Sequence, residues 1–159
     1  NSPNHHELSP IELRKTRLSQ LALDDLKGPD LENVFDLKVG DQEDSKFSIR
    51  VYVPSKIKTN EKVPVILFFH GGGFIMGRPQ HFRRTCAKLA LLSKSVIVCP
   101  TVGNAPEDKA DTWLRNAYAA FKWVHSQADQ LNIDVSRVVV RGENHGAFIA
   151  LKVAKSWME

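Results

Sequence analysis

Long apolar runs are missing from this sequence of 159 residues: unbroken stretches reach only five, as from Val65 to Phe69. A membrane-spanning helix needs about 20, so none is expected. Cysteine is scarce. Cys86 and Cys99 are the only two, too few for a disulfide framework. Both sit in apolar stretches, which predicts buried free thiols and favours a reducing, cytoplasmic setting. Charge of one sign is lacking as well. The 22 Lys and Arg are spread among 18 Asp and Glu, for a net charge of +4. No basic stripe forms that would track a nucleic-acid backbone, so nucleic acid is not expected as a partner. The pair His5-His6 has no further ligands at metal spacing, so neither a metal nor a cofactor is expected. What remains, 42% hydrophobic and 25% charged residues, is the composition of a globular chain of one-domain length.

Ser9-Pro10-Ile11-Glu12 reads as a helix start. Ser9 can cap, Pro10 suits the first turn, and Glu12 completes a capping box. Ile11, Leu18 and Leu21 give the segment an apolar side, and Gly28-Pro29 ends it. Two strands then form an antiparallel hairpin: Val34 to Val39, a turn signal at Gly40-Asp41, and the alternation of Phe47, Ile49, Val51 and Val53 with polar neighbours. From Val63 the pattern changes. Val63 to Phe69, Val96 to Val98 and Val138 to Val140 are apolar on both faces, as buried parallel strands require. Between and after them lie helical patterns: Phe82, Cys86, Leu89 and Ala90; then Ala110 through Val124; then Ala147 through Met158. This order predicts an α/β fold, a mostly parallel sheet with an antiparallel N-terminal hairpin and helices on both faces.

Three consecutive glycines, Gly71, Gly72 and Gly73, follow the first parallel strand. They cost backbone entropy, so the loop needs them for something. A phosphate loop would end in Lys-Ser or Lys-Thr, or space its glycines differently. The remaining use is a loop whose backbone N–H groups face a developing oxyanion. His70, at the end of a buried strand, reads as a brace for that loop rather than a catalytic base. Phe74, Ile75 and Met76 are candidate pocket lining.

After the third parallel strand stands Gly142-Glu143-Asn144-His145-Gly146. Gly-x-Ser-x-Gly at a strand-to-helix turn is the nucleophile elbow of α/β hydrolases, with a left-handed nucleophile between small neighbours. Both glycines are kept and the centre is Asn. Asn tolerates left-handed φ, so the turn survives. The chemistry does not, because an amide nitrogen delocalised into its carbonyl is no activated hydroxyl. Glu143 and His145 flank the tip and should point elsewhere. Glu143 suits a helix N-terminus, and the His145 side chain reads as a surface or cleft residue. The His145 backbone N–H should still complete an oxyanion hole with Gly71, Gly72 and Gly73.

From about Phe35 to Trp157 the sequence resembles the hormone-sensitive-lipase-like branch of the α/β hydrolases, which holds carboxylesterases and lipases. His70-Gly71-Gly72-Gly73-Phe74 matches its oxyanion signature, and Ala105-Pro106-Glu107 matches its Ala-Pro-Glu. Residues 117–124 resemble the helix that follows, and 135–140 the lead-in to the nucleophile strand. Three departures stand out: Asn144 for Ser, Glu143 for Asp, and Val102-Gly103-Asn104 for Tyr-Arg-Leu. The resemblance implies a cap-like helix and tail over residues 1–30. It also implies that residues 31–159 form the N-terminal half of a hydrolase core, ending after the elbow helix, with the family's acidic residue and catalytic His beyond them. The sequence opens on Asn1 rather than Met.

Three expectations follow. The first is an ester-hydrolase scaffold, inactive as this chain alone. The second is a non-catalytic binder of a small apolar acid or ester, as in the plant gibberellin receptor of the same fold. The third is a fragment or subunit whose open sheet edge is covered by a second chain or by self-association.

Overall fold

The computed structural model describes residues 7–16, 29, 31, 33–39, 47–55 and 61–158. Ser9 and Glu12 form the capping box. Ser9 Oγ accepts from Glu12 N–H at 3.3 Å, while the Glu12 carboxylate accepts from Ser9 N–H at 2.9 Å and from its hydroxyl at 2.6 Å. Helix α1 is described over residues 10–16; its expected run to Lys27 lies outside the described residues, as do the Gly40-Asp41 turn and His5-His6.

Five strands follow: β1 (Asn33–Lys38), β2 (Ser48–Val53), β3 (Val63–Phe69), β4 (Val96–Pro100) and β5 (Ile133–Gly142). Among them lie a 3₁₀ turn (Pro79–Phe82) and helices α2 (Arg83–Ser93), α3 (Ala110–Ser126) and α4 (His145–Met158). The strand order is β1-β2-β4-β3-β5. The hairpin β1–β2 and the pair β2–β4 are antiparallel, whereas β4–β3 and β3–β5 are parallel. This is the sheet the apolar patterning predicts.

The period of two along each strand sorts its side chains between two cores. Val65, Leu67 and Phe69 of β3, with Val96 and Val98 of β4, meet Ala117, Ala120, Ile149 and Val153 of α3 and α4 on one face. Ile66, Phe68, Ile97 and Cys99 meet Cys86, Ala87 and Ala90 of α2 on the other. Both cysteines are buried free thiols, and burial beside Cys86 pushes the Cys99 thiol upward.

Strand β5 begins at Ile133, well before the Val138–Val140 run. Its register with β3 jumps from Val63↔Ile133 to Val65↔Val138. Asp134 holds the extra residues. Its carboxylate accepts from Ser136 N–H at 3.0 Å, the Ser136 hydroxyl at 2.6 Å and Arg137 Nε at 2.7 Å. These bonds, the Ser136 hydroxyl first, hold its pKa down to about 2. Among the described strands β5 pairs only with β3, so it forms the outer edge.

Candidate active site

The turn from β5 to α4 puts Asn144 at its tip, with φ of +52°. The flanking glycines are small for steric reasons. A Cβ on Gly142 would lie 2.1 Å from the Gly146 carbonyl oxygen, and one on Gly146 would lie 2.2 Å from that of Phe69. Strand, turn and helix can approach this closely only without those side chains. Glu143 N–H donates to Phe69 O at 3.1 Å, which ties the turn to the end of β3. The His145 N–H opens α4 and belongs to the first-turn donors that no helical carbonyl satisfies.

The glycine loop leaves β3 directly opposite. A Cβ on Gly71 would meet Asn144 Cβ at 3.3 Å, so loop and elbow are in contact. Gly72 has φ of +137°, and a Cβ there would fall 1.9 Å from Met76 O. Its own carbonyl accepts from Ile75 N–H at 3.2 Å and Met76 N–H at 3.1 Å, which curls the loop back on itself. Gly73 is exposed, and its N–H donates to Asn144 Oδ1 at 3.0 Å. The structure thus brings Gly71, Gly73, Asn144 and His145 to one place.

His70 is buried behind the loop. Its Nδ1–H donates to Gly71 O at 3.0 Å, and its ring stacks on Phe82 at 5.5 Å. Burial lowers its pKa, so the ring is held neutral. The His145 ring departs from expectation: it is 5% exposed, neither a surface nor a cleft group. The helix start turns it inward, against Phe74 at 4.5 Å and His70 at 5.8 Å. Burial, with repulsion from His70 second, pushes its pKa down to about 4.

Phe74, Ile75 and Met76 are all half-buried. Phe74 stacks on Trp113 at 4.5 Å. Trp113, Phe74, His145, His70, Phe82 and Phe68 make one continuous aromatic row beneath the loop. Ile75 offers its backbone oxygen to Arg14. A cavity of about 530 Å³ on the α1 side is lined by polar residues instead, among them Arg14, Arg78, Asn104, Glu107 and Asn116.

Arg14 had no signal in the sequence beyond being one cation on a polar helix. Its Nε donates to Ile75 O at 2.7 Å, and its Nη2 to Ala105 O at 2.7 Å. The two terminal nitrogens also clasp Glu107 Oε1 and Oε2, each at 2.8 Å. One guanidinium therefore joins α1 to the glycine loop and to the Ala105-Pro106-Glu107 segment. Ala105 N–H donates to Phe74 O at 2.7 Å, and Asn104 Nδ2 to Gly77 O at 3.2 Å, so the segment after β4 pins the loop from below. Among the described residues no cluster of three or more His, Cys, Asp or Glu is arranged to hold a metal ion. No described helix is long and apolar enough to cross a membrane.

A family profile described as alpha/beta hydrolase fold matches residues 66–159. Esterase LipI of Mycobacterium tuberculosis (strain ATCC 25618 / H37Rv) is 33% identical over 106 residues, covering 67% of this chain and 33% of LipI. Carboxylesterase NlhH of the same strain is 28% identical over 145 residues, covering 91% of this chain and 44% of NlhH. Among solved structures, EstE1, a thermophilic carboxylesterase cloned from a metagenomic library, superposes with a TM-score of 0.83. It is 34% identical, across 94% of this chain and 50% of EstE1. The chain spans about half the length of these relatives, or less. Profile match, identity and superposition agree with the loop and elbow geometry: the chain belongs to the carboxylesterase- and lipase-like α/β-hydrolase fold-3 family.

Proposed function

We propose that this chain is a carboxylesterase-type scaffold that does not hydrolyse esters by itself. The observation that carries the reading is Asn144 at the tip of the elbow, left-handed and against the glycine loop. Acyl transfer in this family's manner needs a hydroxyl there, deprotonated as it attacks. A carboxamide's nitrogen lone pair is delocalised into its carbonyl, so it offers no nucleophile in that hydroxyl's place. The flanking groups do not replace it. Glu143 reaches toward Arg141 at 3.4 Å, and the His145 ring lies behind Phe74. In this reading the N–H groups of Gly71, Gly72, Gly73 and His145 are the retained oxyanion donors, and His70 braces them through Gly71. Phe74, Ile75 and Met76 form the apolar wall beside them. The test is release of p-nitrophenol from p-nitrophenyl butyrate. The purified chain should give no turnover above buffer. Turnover that disappears in Gly72→Ala, with the fold intact, would overturn the reading.

A second reading, completion by a further chain or by self-association, draws on β5. Its outer edge has no partner among the described strands, and Val139 there is 52% exposed. An open apolar edge is a template for association. Light scattering after size exclusion should find species larger than the monomer, and a clean monomer counts against it. The third reading, binding of a small apolar acid or ester on the loop amides, has Gly73 N–H already engaged against it.

A further inference from the structure

We infer that Asn144 is a built-in occupant of the loop's anion-binding amides, so that the site is closed to external carboxylates by the protein's own side chain. The inference rests on the reading that the glycine loop supplies oxyanion donors, and it goes beyond the loss of the nucleophile. Gly73 N–H donates to Asn144 Oδ1 at 3.0 Å, across a sequence separation of 71 residues. A backbone N–H can only donate, so the carboxamide must present its oxygen to the loop and turn its Nδ2 donors away. That oxygen carries the partial negative charge of a carbonyl, which is what these amides are disposed to bind.

The backbone fixes both partners. Gly73 has φ of +62° and Asn144 φ of +52°, and the room between Gly71 and the tip is such that a Cβ added to Gly71 would lie 3.3 Å from Asn144 Cβ. The contact is therefore intramolecular and pre-oriented. An external ion must pay ordering entropy that Asn144 has already spent in folding. A serine at this tip would carry its oxygen one bond nearer the backbone and would bring a proton with it. The longer carboxamide reaches across the cleft as a pure acceptor.

Amide hydrogen exchange and ¹H–¹⁵N spectra of the whole chain test this, with butyrate as the probe. Asn144→Gly removes the occupant without straining a left-handed position. It should speed exchange of the Gly73 amide several-fold to about tenfold, the effect of one lost hydrogen bond. Asn144→Asp, which keeps an acceptor oxygen, should restore the slow rate. Butyrate should move the Gly73 and His145 amide resonances saturably in Asn144→Gly and leave the wild type unmoved at the same concentration. Equal Gly73 exchange in wild type and Asn144→Gly overturns the inference. So does an equal butyrate response in both, or none in Asn144→Gly. Ester turnover by the wild type would sink the reading of function and leave the exchange result standing, so the two failures are distinguishable.

Discussion

Along its inner side β5 is bonded to β3, and no Cβ fits where its Gly142 meets the start of α4 or where Gly146 of α4 meets the end of β3. Along its outer side the same strand has no described partner. Val138 and Val140 pack on the core beneath α3 and α4, whereas Val139 between them faces outward. On β4 the equivalent alternation is buried throughout, because α2 covers the second face. Over β5 that second face has no such cover among the described residues. Val139 lies in register with Ile66, and Arg141 with Phe68, and the Arg141 guanidinium rests 5.6 Å from the Phe68 ring centroid. The contrast teaches that an apolar triplet reports the surroundings a strand is suited to, and that among the described residues β5 finds those surroundings on one side only.

The inner side can be broken outright. In a free helix Gly→Ala gains about 1 kcal/mol. At Gly146 the sign should reverse, because the new methyl would sit 2.2 Å from Phe69 O and force strand and helix apart. A loss of about 4 kcal/mol or more is expected, in the range reserved for severe packing faults. Chemical denaturation of Gly146→Ala reads it directly. A neutral or stabilising result would mean that the elbow is not packed as described.

His145 probes the same side by pH. Its ordinary pKa of 6.5 falls to about 4 through burial. Between those values the unfolded chain takes up a proton that the folded chain refuses, so stability falls as pH falls. The contribution is whole above pH 6.5 and is lost progressively down to about pH 4, below which both states are protonated. The loss amounts to at most about 3 kcal/mol. His70, lowered for the same reason, acts in the same direction. Denaturant midpoints measured from pH 7 to 4 should drop more steeply for wild type than for His145→Phe. Parallel curves would show that the ring is not buried in neutral form.

How far the sequence could be read depends on whether a feature is local. The capping box needs only Ser9 and Glu12, three residues apart, and it formed as read. The parallel strands announce themselves by apolar character on both faces, and the elbow by two glycines and a residue fit for left-handed φ. Arg14 could not be found this way, since its partners at 75, 105 and 107 are brought to it only by the fold. Nor could the inward turn of the His145 ring. Its direction is set by Phe74 and His70 from two other segments, and no periodicity in one helix records that. The start of β5 at Ile133 was hidden for a related reason. Asp134, Ser136 and Arg137 look like a turn, and they do form local side-chain bonds, but they do so within a bulged strand.

The outer side calls for the gentlest probe. Val139→Lys places a charge on a half-exposed position of the edge strand, the device by which natural sheets discourage pairing. Val139 is 52% exposed, so the stability of the isolated fold should change by no more than about 0.5 kcal/mol. Association should respond far more strongly. If β5 is a pairing edge, light scattering should show the larger species of the wild type collapse to monomer in Val139→Lys. The denaturation midpoint at low protein concentration should stay where it was. A variant that unfolds would show that Val139 is already enclosed. A variant that associates as the wild type does would move the interface away from β5, most simply onto α4, where Leu151 is 68% exposed.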